Sequence, residues 1–557
     1  MGLGILSDPY LGENVPGTSL LDDLHARGSK HYDASDPNVK RGKDGIILVP
    51  QPSDSPNDPL NWPQWRKVAL MVTVTYGAGV VGAYGPIIGA GLVQVAAALD
   101  TTVGELSKIT GDLVLSIGLV LILTAPASVI WGRRPVYLVG NILLIWGGIW
   151  SAASQNLGNL TASRVIGGMG MAPIECLAEA TVADIFFVHE RGKWIAVWSF
   201  ALLGGICGVP IVNGYLIQDV SWRVCFIIIS AMCGVLLVLT VFFVPETAYV
   251  REKFEVLPVE ERIADSKEKS DSEPGKRTPS DDNGVEDKEL VSCSDVEARS
   301  NKSLEPPKTF LQLLKPWNNQ RYSDENFFKA ALRPFSLVLS PVVAWGALVY
   351  GTSNAWLVAM SVSVSMLFSD PSFGYGYDAG VVGLISGVGP FIANFLGNVI
   401  AGPLTDWTAT FMARRNGGVY EPEFRLLIMI PTTIAFSIGW FGWALVAHYK
   451  VQWIAPELFY SLINFGQAIG GIAVVSYVVD AHPHYAPEAF ATINCIKNIF
   501  AFGLTYYVTP WILNQGVLRT FCTIGGINAW VCLMTIPMYI YGKRARSWVH
   551  RTPWMLA

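Results

Sequence analysis

Charged side chains are scarce in this chain of 557 residues. They make up 15% of the sequence, against roughly 25% in an ordinary soluble domain. Of the 39 basic and 44 acidic residues, 33 lie between residues 251 and 333, so the rest of the chain is poorer still in charge. The composition excludes a soluble globular protein. The net charge of -5 gives no reason to expect a nucleic-acid partner.

Signatures of cofactor and metal chemistry are missing as well. There is no GxxxxGK[ST] phosphate loop, so we expect no ATP hydrolysis by this chain. His482 and His484 stand two residues apart beside Asp480, in a loop that would make a poor metal site. No cluster of His or acidic residues indicates an integral membrane enzyme. We therefore expect no enzymatic activity, no cofactor and no metal.

Cysteine pairs and a cleavable signal peptide are also absent. Cys293 lies in the charged segment, and no external loop holds a pair, so we predict free thiols. The first 66 residues are polar and rich in Pro, Asp and Gly, which no signal peptide would be. The other cysteines fall within apolar stretches: Cys176, Cys207, Cys225, Cys233, Cys495, Cys522 and Cys532.

Long apolar runs are what the sequence does contain. A bilayer core of about 30 Å needs about 20 apolar residues per helix. The runs predict an all-α integral membrane protein with twelve spans. These are 68–92, 108–131, 136–155, 161–184, 193–217, 222–244, 335–364, 379–404, 425–447, 453–479, 489–511 and 520–541.

The positions of Lys and Arg between these spans predict the orientation, because short cytoplasmic loops carry an excess of both. One set of loops and the C-terminal tail hold Arg133, Arg134, Arg191, Lys193, Arg414, Arg415, Lys543, Arg544 and Arg546. The opposite set holds little beyond Lys108, Lys450 and Arg519. We therefore predict a multi-pass protein of the cell membrane with both termini in the cytoplasm.

Five segments follow from this pattern. They are a cytoplasmic N-terminal tail (1–66), a six-helix bundle (67–248), a disordered cytoplasmic loop (249–333), a second six-helix bundle (334–542) and a cytoplasmic C-terminal tail (543–557). Within the loop, residues 265–303 combine dense mixed charge with few aromatic residues and cannot fold alone. We interpret the loop as a flexible tether. A regulatory module phosphorylated on Ser and Thr is the alternative.

The two halves resemble each other at one place. After the second span the chain reads "APASVIWGRRPVYL", and after the eighth it reads "AGPLTDWTATFMARRNGG". Internal repeats of this kind build many secondary transporters, which bind substrate near the midplane. With "NDPLNWPQWRK" at 57–67 and "VPET" at 244–247, the chain resembles fungal drug:proton antiporters of the major facilitator superfamily. The resemblance implies two six-helix bundles that work by alternating access.

The resemblance also implies a cytoplasmic latch, meaning contacts that hold the two halves in one state. The family's loop motif is Gly, then Asp four residues on, then Gly-Arg-Arg. Here the first half keeps Gly132, Arg133 and Arg134 but has Ala125 and Val129 in place of the Gly and Asp. In the second half, Gly402 and Asp406 are present and the basic pair moves to Arg414 and Arg415. The latch residues would be Arg133, Arg134, Asp184 and Asp406. The alternative is that the arginines only set topology.

The fourth span carries the main site candidates. Arg164, Gly168, Met171, Glu175 and Glu179 lie on one helix face roughly 80° wide at 100° per residue. Ionised groups at the bilayer centre cost about 2.5–3.5 kcal/mol each, so this face must point into the protein. Arg164 resembles the first residue of the family motif RxxxGxG, implicated there in proton transfer. Glu175 and Glu179 could titrate, select a cationic substrate or form a structural pair.

Further polar or flexible positions complete the set. Asp112 and Lys497 join the proposed proton or substrate path, and Lys497 could pair with Asp480. Asn394, Asn398 and Gln467 are also polar groups within spans. In the fifth span, Gly204, Gly205, Gly208, Pro210 and Gly214 resemble the antiporter motif of the superfamily, although helix packing explains them almost as well. Trp345, Tyr350 and Trp356 could line a pocket, but lipid anchoring is the preferred interpretation.

Together these features predict a proton-coupled carrier that exports a small organic compound, such as a drug or secondary metabolite, across the plasma membrane. Its partners would be the substrate, protons and the lipid bilayer, and we expect a monomer. Uptake of an organic cation or polyamine is the alternative within the same class. A non-transporting membrane sensor is a more remote one.

The predicted topology can be tested at two glycosylation sequons. Asn159-Leu160-Thr161 lies in a predicted external loop, where a glycan could be attached, and Asn301-Lys302-Ser303 lies in the cytoplasmic loop. We expect a cysteine placed at residue 301 in a cysteine-free background to be protected from an impermeant thiol reagent in intact cells. Labelling of residue 301 before permeabilisation would invert the topology.

Overall fold

The computed structural model of the protein is almost entirely helical. It describes residues 3–10, 15–20, 52–53, 55–249, 309, 312, 314–317, 321–323, 326–370, 375–417, 419–482 and 486–552. The cytoplasmic loop and residue Asn301 fall largely outside these ranges, as do Cys293 and His484. The predicted fold class, an all-α membrane protein of two bundles, is confirmed by the helices described below and by the structural relatives reported later.

The N-terminal bundle contains seven helices, of which the first two form one crossing. They are α1 (Gln64–Tyr84), α2 (Leu92–Ala98), α3 (Val103–Ile130), α4 (Arg133–Ala153), α5 (Leu157–Ile185), α6 (Val188–Asp219) and α7 (Trp222–Phe243). Short 3₁₀ turns occupy Pro59–Asn61 and Gly89–Gly91. One apolar cluster of buried side chains fills the centre of this bundle.

The C-terminal bundle repeats this plan. After α8 (Phe327–Leu337) come α9 (Pro341–Ser369), α10 (Ala379–Arg415), α11 (Met429–His448), α12 (Ile454–Ala481), α13 (Ala486–Gln515), α14 (Val517–Leu533) and α15 (Thr535–His550). A 3₁₀ segment, Pro422–Ile428, precedes α11, and two short strands are β1 (Ser19–Leu20) and β2 (Val419–Tyr420). A second apolar cluster fills this bundle.

Eleven of the described helical segments are long and apolar enough to cross a membrane. The segment not included is α13, which covers the predicted span 489–511 and contains 30 residues. Its centre is polar, with Asn494, Lys497 and Asn498 within five residues of one another. Since α13 packs mainly against α9 and α3, its polar face is turned toward protein. A helix shielded in this way can cross with less apolar composition.

Two boundaries differ from those predicted. The span expected at 335–364 is divided into α8 and α9, because Ser340 and Pro341 start a new helix. Pro341 has no backbone N–H to continue the preceding helix and is well placed at a helix start. At the other end, α15 continues to His550, past the expected boundary at 542.

The charge distribution defines two sides of the molecule. We call the side where α4 begins the inner side, because the Lys and Arg distribution assigns it to the cytoplasm, and the opposite side the outer side. Large apolar side chains remain exposed on the surfaces between them, as a lipid-facing surface requires. Examples are Val139, Trp146, Ile227, Val235, Ile430 and Leu458.

The two bundles meet mainly through two helix pairs, α3 with α13 and α6 with α10. On the outer side, Asp112 accepts a hydrogen bond of 2.7 Å from the Tyr506 hydroxyl. The hydroxyl groups of Ser107 and Thr509 lie 3.3 Å apart nearby. These contacts close the outer ends of the bundles against each other.

The residues of the predicted glycine-proline motif of α6 have different surroundings: some pack against α1 or α10, and others face open space. Gly205 lies against the Gly79 carbonyl of α1. Gly214 and the Pro210 carbonyl lie against α10, where a Cβ on Gly214 would stand 2.5 Å from the Ala379 carbonyl oxygen. A Cβ on Gly204 or Gly208 would meet nothing within 4 Å. Close packing thus accounts for two of the four glycines, and a role of the motif in export stays a prediction.

The described part of the N-terminal tail lies on the inner side of the C-terminal bundle. Strand β1 pairs antiparallel with β2, with Ser19 opposite Tyr420. The Leu6 N–H donates a 3.0 Å hydrogen bond to the Ile540 carbonyl of α15. Ile5 packs in a small apolar cluster with Phe424. The first residues of the chain are therefore bound to the half that is synthesised last.

A buried ionic cluster anchors this tail. Arg546 of α15 pairs with Glu421 at 2.9 Å and with Glu423 at 2.8 Å, and it also donates to the Pro16 carbonyl. The Thr18 hydroxyl donates to the other side of the cluster, 2.7 Å from Glu421. Buried charges need partners on every side, so the tail supplies part of the solvation that Arg546 requires.

Gly17 is the position where the tail approaches the bundle most closely. Its φ is +90°, and a Cβ there would stand 2.5 Å from the Asp480 carbonyl oxygen. We expect Gly17→Ala to detach the tail, because it adds a clash to a backbone strain of roughly 1–2 kcal/mol. Hydrogen exchange should show lost protection of residues 3–20 with the bundles unchanged.

Gly417→Ala is the matched control. Gly417 also has a positive φ, +68°, but a Cβ there would meet nothing within 4 Å. Gly417→Ala should add only the backbone strain, without a clash, and leave the tail protected from hydrogen exchange. Equal loss of protection in the two variants would show that the close approach of Gly17 does not hold the tail.

Candidate functional site between the two bundles

An ion pair between the bundles forms the centre of the candidate site. Glu175 of α5 lies 3.4 Å from the Lys497 Nζ of α13, and the two side chains are 24% and 17% exposed. α5 belongs to the N-terminal bundle and α13 to the C-terminal bundle, so the pair joins the two halves. A single charge at this depth would cost about 2.5–3.5 kcal/mol, and each residue offsets that cost for the other.

The expected pairing of Lys497 with Asp480 is wrong. Asp480, at the inner end of α12, accepts hydrogen bonds from Arg425 at 2.7 Å and from the Tyr420 hydroxyl at 2.6 Å. Lys497 lies farther from the inner side and reaches across to Glu175 instead. The difference follows from how the two bundles pack, which helix depth alone does not specify.

Glu179 lies one helical turn from Glu175 toward the inner side. It is exposed, whereas its neighbours Leu177 and Ala178 are buried, and it has no hydrogen-bonding partner among the described residues. Tyr350 of α9 lies within electrostatic range of Glu175, Glu179 and Lys497. The site therefore has one carboxyl group held by a cation and a second carboxyl group open to a ligand.

Arg164 is not part of this cluster. It is 1% exposed and donates to the carbonyl oxygens of Tyr84 and Gly85, at 2.7 and 2.5 Å, at the end of α1. Its guanidinium also lies over the Tyr84 and Phe226 rings. The position matches a cation at a helix C-terminus, where unpaired carbonyl groups carry partial negative charge. A role of Arg164 in proton transfer stays a prediction.

The expected latch residues form separate clusters within each bundle. In the N-terminal bundle, Arg133 Nε lies 2.7 Å from Asp184. Glu246 accepts the backbone N–H groups of Arg133 and Arg134 at 2.8 and 3.2 Å. Arg134 is buried and donates to the Val241 and Val244 carbonyls. These contacts tie α4 to the inner ends of α5 and α7 and do not bring Asp406 to the same place.

The matching cluster in the C-terminal bundle uses an arginine that the sequence analysis missed. Arg425, in the segment before α11, pairs with Asp480 at 2.7 Å and with Asp406 at 3.1 Å. Arg414 and Arg415, the expected basic pair, are both exposed. Arg425 and Asp480 open the ninth span and close the tenth, as Arg133 and Asp184 open the third and close the fourth. This correspondence between the two halves was the feature of the sequence that could have identified Arg425.

His482 adjoins this cluster at the end of α12. Burial, together with the nearby Arg546 guanidinium, lowers the pKa of His482 to about 4, so the ring is neutral at physiological pH. One ring nitrogen lies 3.0 Å from the Ser340 hydroxyl, between α8 and α9. The contact gives this histidine a structural role.

Other predicted positions have structural partners. Asn394 donates to Asn464 at 3.1 Å, Asn398 donates to the Asn394 carbonyl, and Gln467 is buried. Trp345 and Trp356 are 6% and 4% exposed, so the preferred interpretation of them as lipid anchors is wrong. They pack within the C-terminal bundle, against Tyr477 and Trp511 respectively.

Two predicted surface features can be placed. Asn159 is exposed in the first turn of α5, near the outer side, and glycosylation there stays a prediction. The seven described cysteines are free.

A groove of about 390 Å³ opens sideways between α1, α6 and α7. It is lined by Tyr76, Trp194 and Met232, among others, and none of its lining residues is charged. The groove therefore offers no group that could bind a proton or recognise a charged substrate. The charged groups Glu175, Glu179 and Lys497 lie elsewhere, in the site described above.

Two helical bundles that meet along their length are the architecture of many membrane carriers. The sequence model of the Major Facilitator Superfamily matches residues 68–504. The chain belongs to this superfamily, and the resemblance seen in its motifs is confirmed.

Three fungal relatives match nearly the whole chain. The MFS-type transporter C1271.10c of Schizosaccharomyces pombe is 28% identical, covering 97% of this chain and 94% of its own. Protein HOL1 of Saccharomyces cerevisiae is 25% identical, covering 96% of each. The efflux pump radE of Floropilus chiversii is 26% identical, covering 92% of this chain and 87% of its own.

The structure is also similar to that of a D-xylose-proton symporter. The TM-score is 0.59 at 13% sequence identity, over 86% of this chain and 99% of that one. At this identity the likeness shows a shared fold.

The two aspartates among the expected latch residues, Asp184 and Asp406, provide a test of the clusters. Asp184→Asn removes the charge from a pair in which both side chains are mostly buried, 15% and 18% exposed. We expect the free energy of unfolding to fall by about 1.5–3 kcal/mol. The melting temperature in detergent, measured by tryptophan fluorescence, should fall with it.

Asp406→Asn is the matched variant in the second half. The Asp406 side chain, which contacts Arg425, is 76% exposed. Its substitution should therefore lower the free energy of unfolding by less than about 1 kcal/mol. Equal destabilisation by the two substitutions would contradict the expectation that the buried Arg133–Asp184 pair contributes more than the exposed Arg425–Asp406 contact.

Proposed function

We propose that the protein is a proton-coupled carrier that exports a small organic compound by alternating access. The observation that carries the proposal is the Glu175–Lys497 pair, which spans the two bundles at 3.4 Å. Alternating access moves one bundle against the other, so a contact between α5 and α13 must be made and broken in each cycle.

Proton binding would control the strength of this contact. An ionised Glu175 is attracted to Lys497 across an interior of low dielectric, where the energy of a charge pair is much larger than in water. A proton on Glu175 removes that attraction, so the two bundles can separate without breaking a charge pair. The bundles could then rearrange, and release of the proton on the other side would restore the pair.

The substrate would bind next to the pair. Glu179 and the Tyr350 ring lie beside the pair. They offer a carboxyl group and an aromatic surface to which no other role is assigned. Export is favoured because the family includes a similar efflux pump, radE. We also propose a plasma-membrane location and a monomer.

A second candidate function is uptake of an organic cation or polyamine. The observation that favours it is Glu179, an exposed carboxyl group without a protein partner among the described residues. A substrate cation is the natural partner for such a group. The two candidates differ in direction, so transport assays in vesicles of known orientation separate them.

Glu175→Gln tests the proposal, because it keeps the shape of the side chain and removes its titration. We expect the purified variant in vesicles to lose accumulation driven by an imposed pH gradient. Exchange of labelled for unlabelled substrate without a gradient should persist, since it needs no net proton movement. The assay first screens organic cations and neutral metabolites with the unchanged protein to find a substrate.

Glu105→Gln is the matched control, because Glu105 lies on the surface in a pair with Lys108. It should accumulate substrate as the unchanged protein does. A Glu175→Gln variant that still concentrates substrate under a pH gradient would remove Glu175 from proton coupling. A wild-type carrier that ignores the gradient would remove proton coupling itself.

A further inference from the structure

A second carboxyl group lies in the C-terminal bundle near the outer side, away from Glu175. Glu457 stands in the first turn of α12, and its carboxyl group is turned toward α10. Both carboxyl oxygens are shielded from solvent, and neither has a hydrogen-bonding partner among the described residues. An ionised carboxylate without a partner is strongly disfavoured in such surroundings, whereas a neutral acid is tolerated.

The helix start does not change this conclusion. A helix N-terminus stabilises a carboxylate mainly when the oxygens reach the free N–H groups of the first turn. The Glu457 oxygens reach none of them. The backbone N–H of Glu457 itself donates to the Trp453 carbonyl at 3.2 Å.

The packing of α10 provides the space for this acid. A Cβ on Gly389 would overlap Glu457 Oε1 and the Ser461 hydroxyl, so only glycine admits the carboxyl group here. The next residue, Pro390, has no N–H, so the Ser386 carbonyl lacks its helical donor. A protonated Glu457 can donate a hydrogen bond, and this turn of α10 contains an acceptor without a helical partner.

The same turn of α10 touches the other bundle. A Cβ on Gly387 would stand 2.5 Å from the Cys207 carbonyl oxygen of α6. The turn thus has Glu457 on one side and the N-terminal bundle on the other. Glu457 therefore lies on the same turn of α10 as a contact between the bundles.

The groups around Glu457 favour its neutral form. Tyr460 of α12 interacts electrostatically with Glu457 and with Cys207 of α6, and neither Tyr460 nor Cys207 is a cation. From α10 it meets the Gly389 backbone N–H, whose attraction for a carboxylate is smaller than the cost of burying one, and the Ser461 hydroxyl of its own helix lies on the same side. α11 presents Gly439 and Gly442 to α12. Among the described residues no Lys, Arg or His contacts it.

We propose that Glu457 is a proton-binding site on the outer side of the carrier. It takes a proton from external water when the outer side opens, and it keeps that proton while the outer side is closed. An ionised Glu457 needs water, which the closed packing against α10 excludes, so closure requires the proton. The proposal rests on the proposed proton-coupled cycle, to which it adds an entry point.

The direct test labels the wild-type protein with dicyclohexylcarbodiimide, a hydrophobic reagent that reacts with protonated carboxyl groups. In vesicles at neutral pH, mass spectrometry should find the reagent on Glu457 and not on the surface residue Glu105. Absence of label on Glu457 at neutral and acidic pH would overturn the proposal, whatever the transport assays show.

The second test follows opening of the outer side. A cysteine replacing Ile211, which lies against Gly387, is labelled from outside by an impermeant thiol reagent in a cysteine-free background. Adding Glu457→Gln, a permanent mimic of the neutral acid, should slow this labelling several-fold and remove its dependence on external pH. Glu105→Gln should change neither. Unchanged labelling with Glu457→Gln would also overturn the proposal.

These outcomes separate this proposal from the carrier mechanism. If the pH gradient drives transport but Glu457 is unlabelled, the outer proton site alone is wrong. If Glu457 is labelled and controls access to residue 211 while the gradient drives nothing, the proton-coupled cycle is wrong and the outer site stands.

Discussion

The cost of placing a charge where water cannot reach it governs the interior of this carrier. Three cations among the described residues show how such a charge is held by specific partners. Arg164 is held by the carbonyl groups at the end of α1, Lys497 by Glu175, and Arg546 by two glutamates and the tail. Where the partner belongs to the same bundle, the pair stabilises that bundle. Where the partner belongs to the other bundle, the pair stabilises one arrangement of the two bundles and must break when they move apart.

The inner ends of the two bundles solve the same problem with different residues. In each, an arginine at the start of one span pairs with an aspartate at the end of the next, Arg133 with Asp184 and Arg425 with Asp480. The third partner differs. In the first half, Glu246 accepts hydrogen bonds from the backbone N–H groups of Arg133 and Arg134. In the second half, Asp406 pairs with the arginine itself. The repeated pair fixes the arrangement of two helices, and the variable partner adapts it to each half.

The fold class and most helices were predictable from the sequence, because apolar runs and the placement of Lys and Arg are local properties. The carrier family was predictable from short motifs for the same reason. The partners of Lys497 and Asp480 were not, since they depend on how the two bundles pack. Arg425 was missed because the motif search followed the adjacent pair Arg414 and Arg415, which lie exposed in the helix end. Burial of Trp345 and Trp356 likewise depends on tertiary packing, since aromatic content alone does not distinguish core from membrane interface.

The docked N-terminal tail has a consequence for the order of assembly. Ser19 and Leu20 are made long before their strand partners, residues 419 and 420, and before Arg546 of α15. The tail must stay unbound on the inner side until the second bundle is inserted, and its anchor at Arg546 is available only after α15 has been made. Its full set of contacts therefore forms only in chains that contain α15. In a protein truncated before α15, the tail would lose its main anchor and remain open to proteases, which would distinguish unfinished from finished carriers.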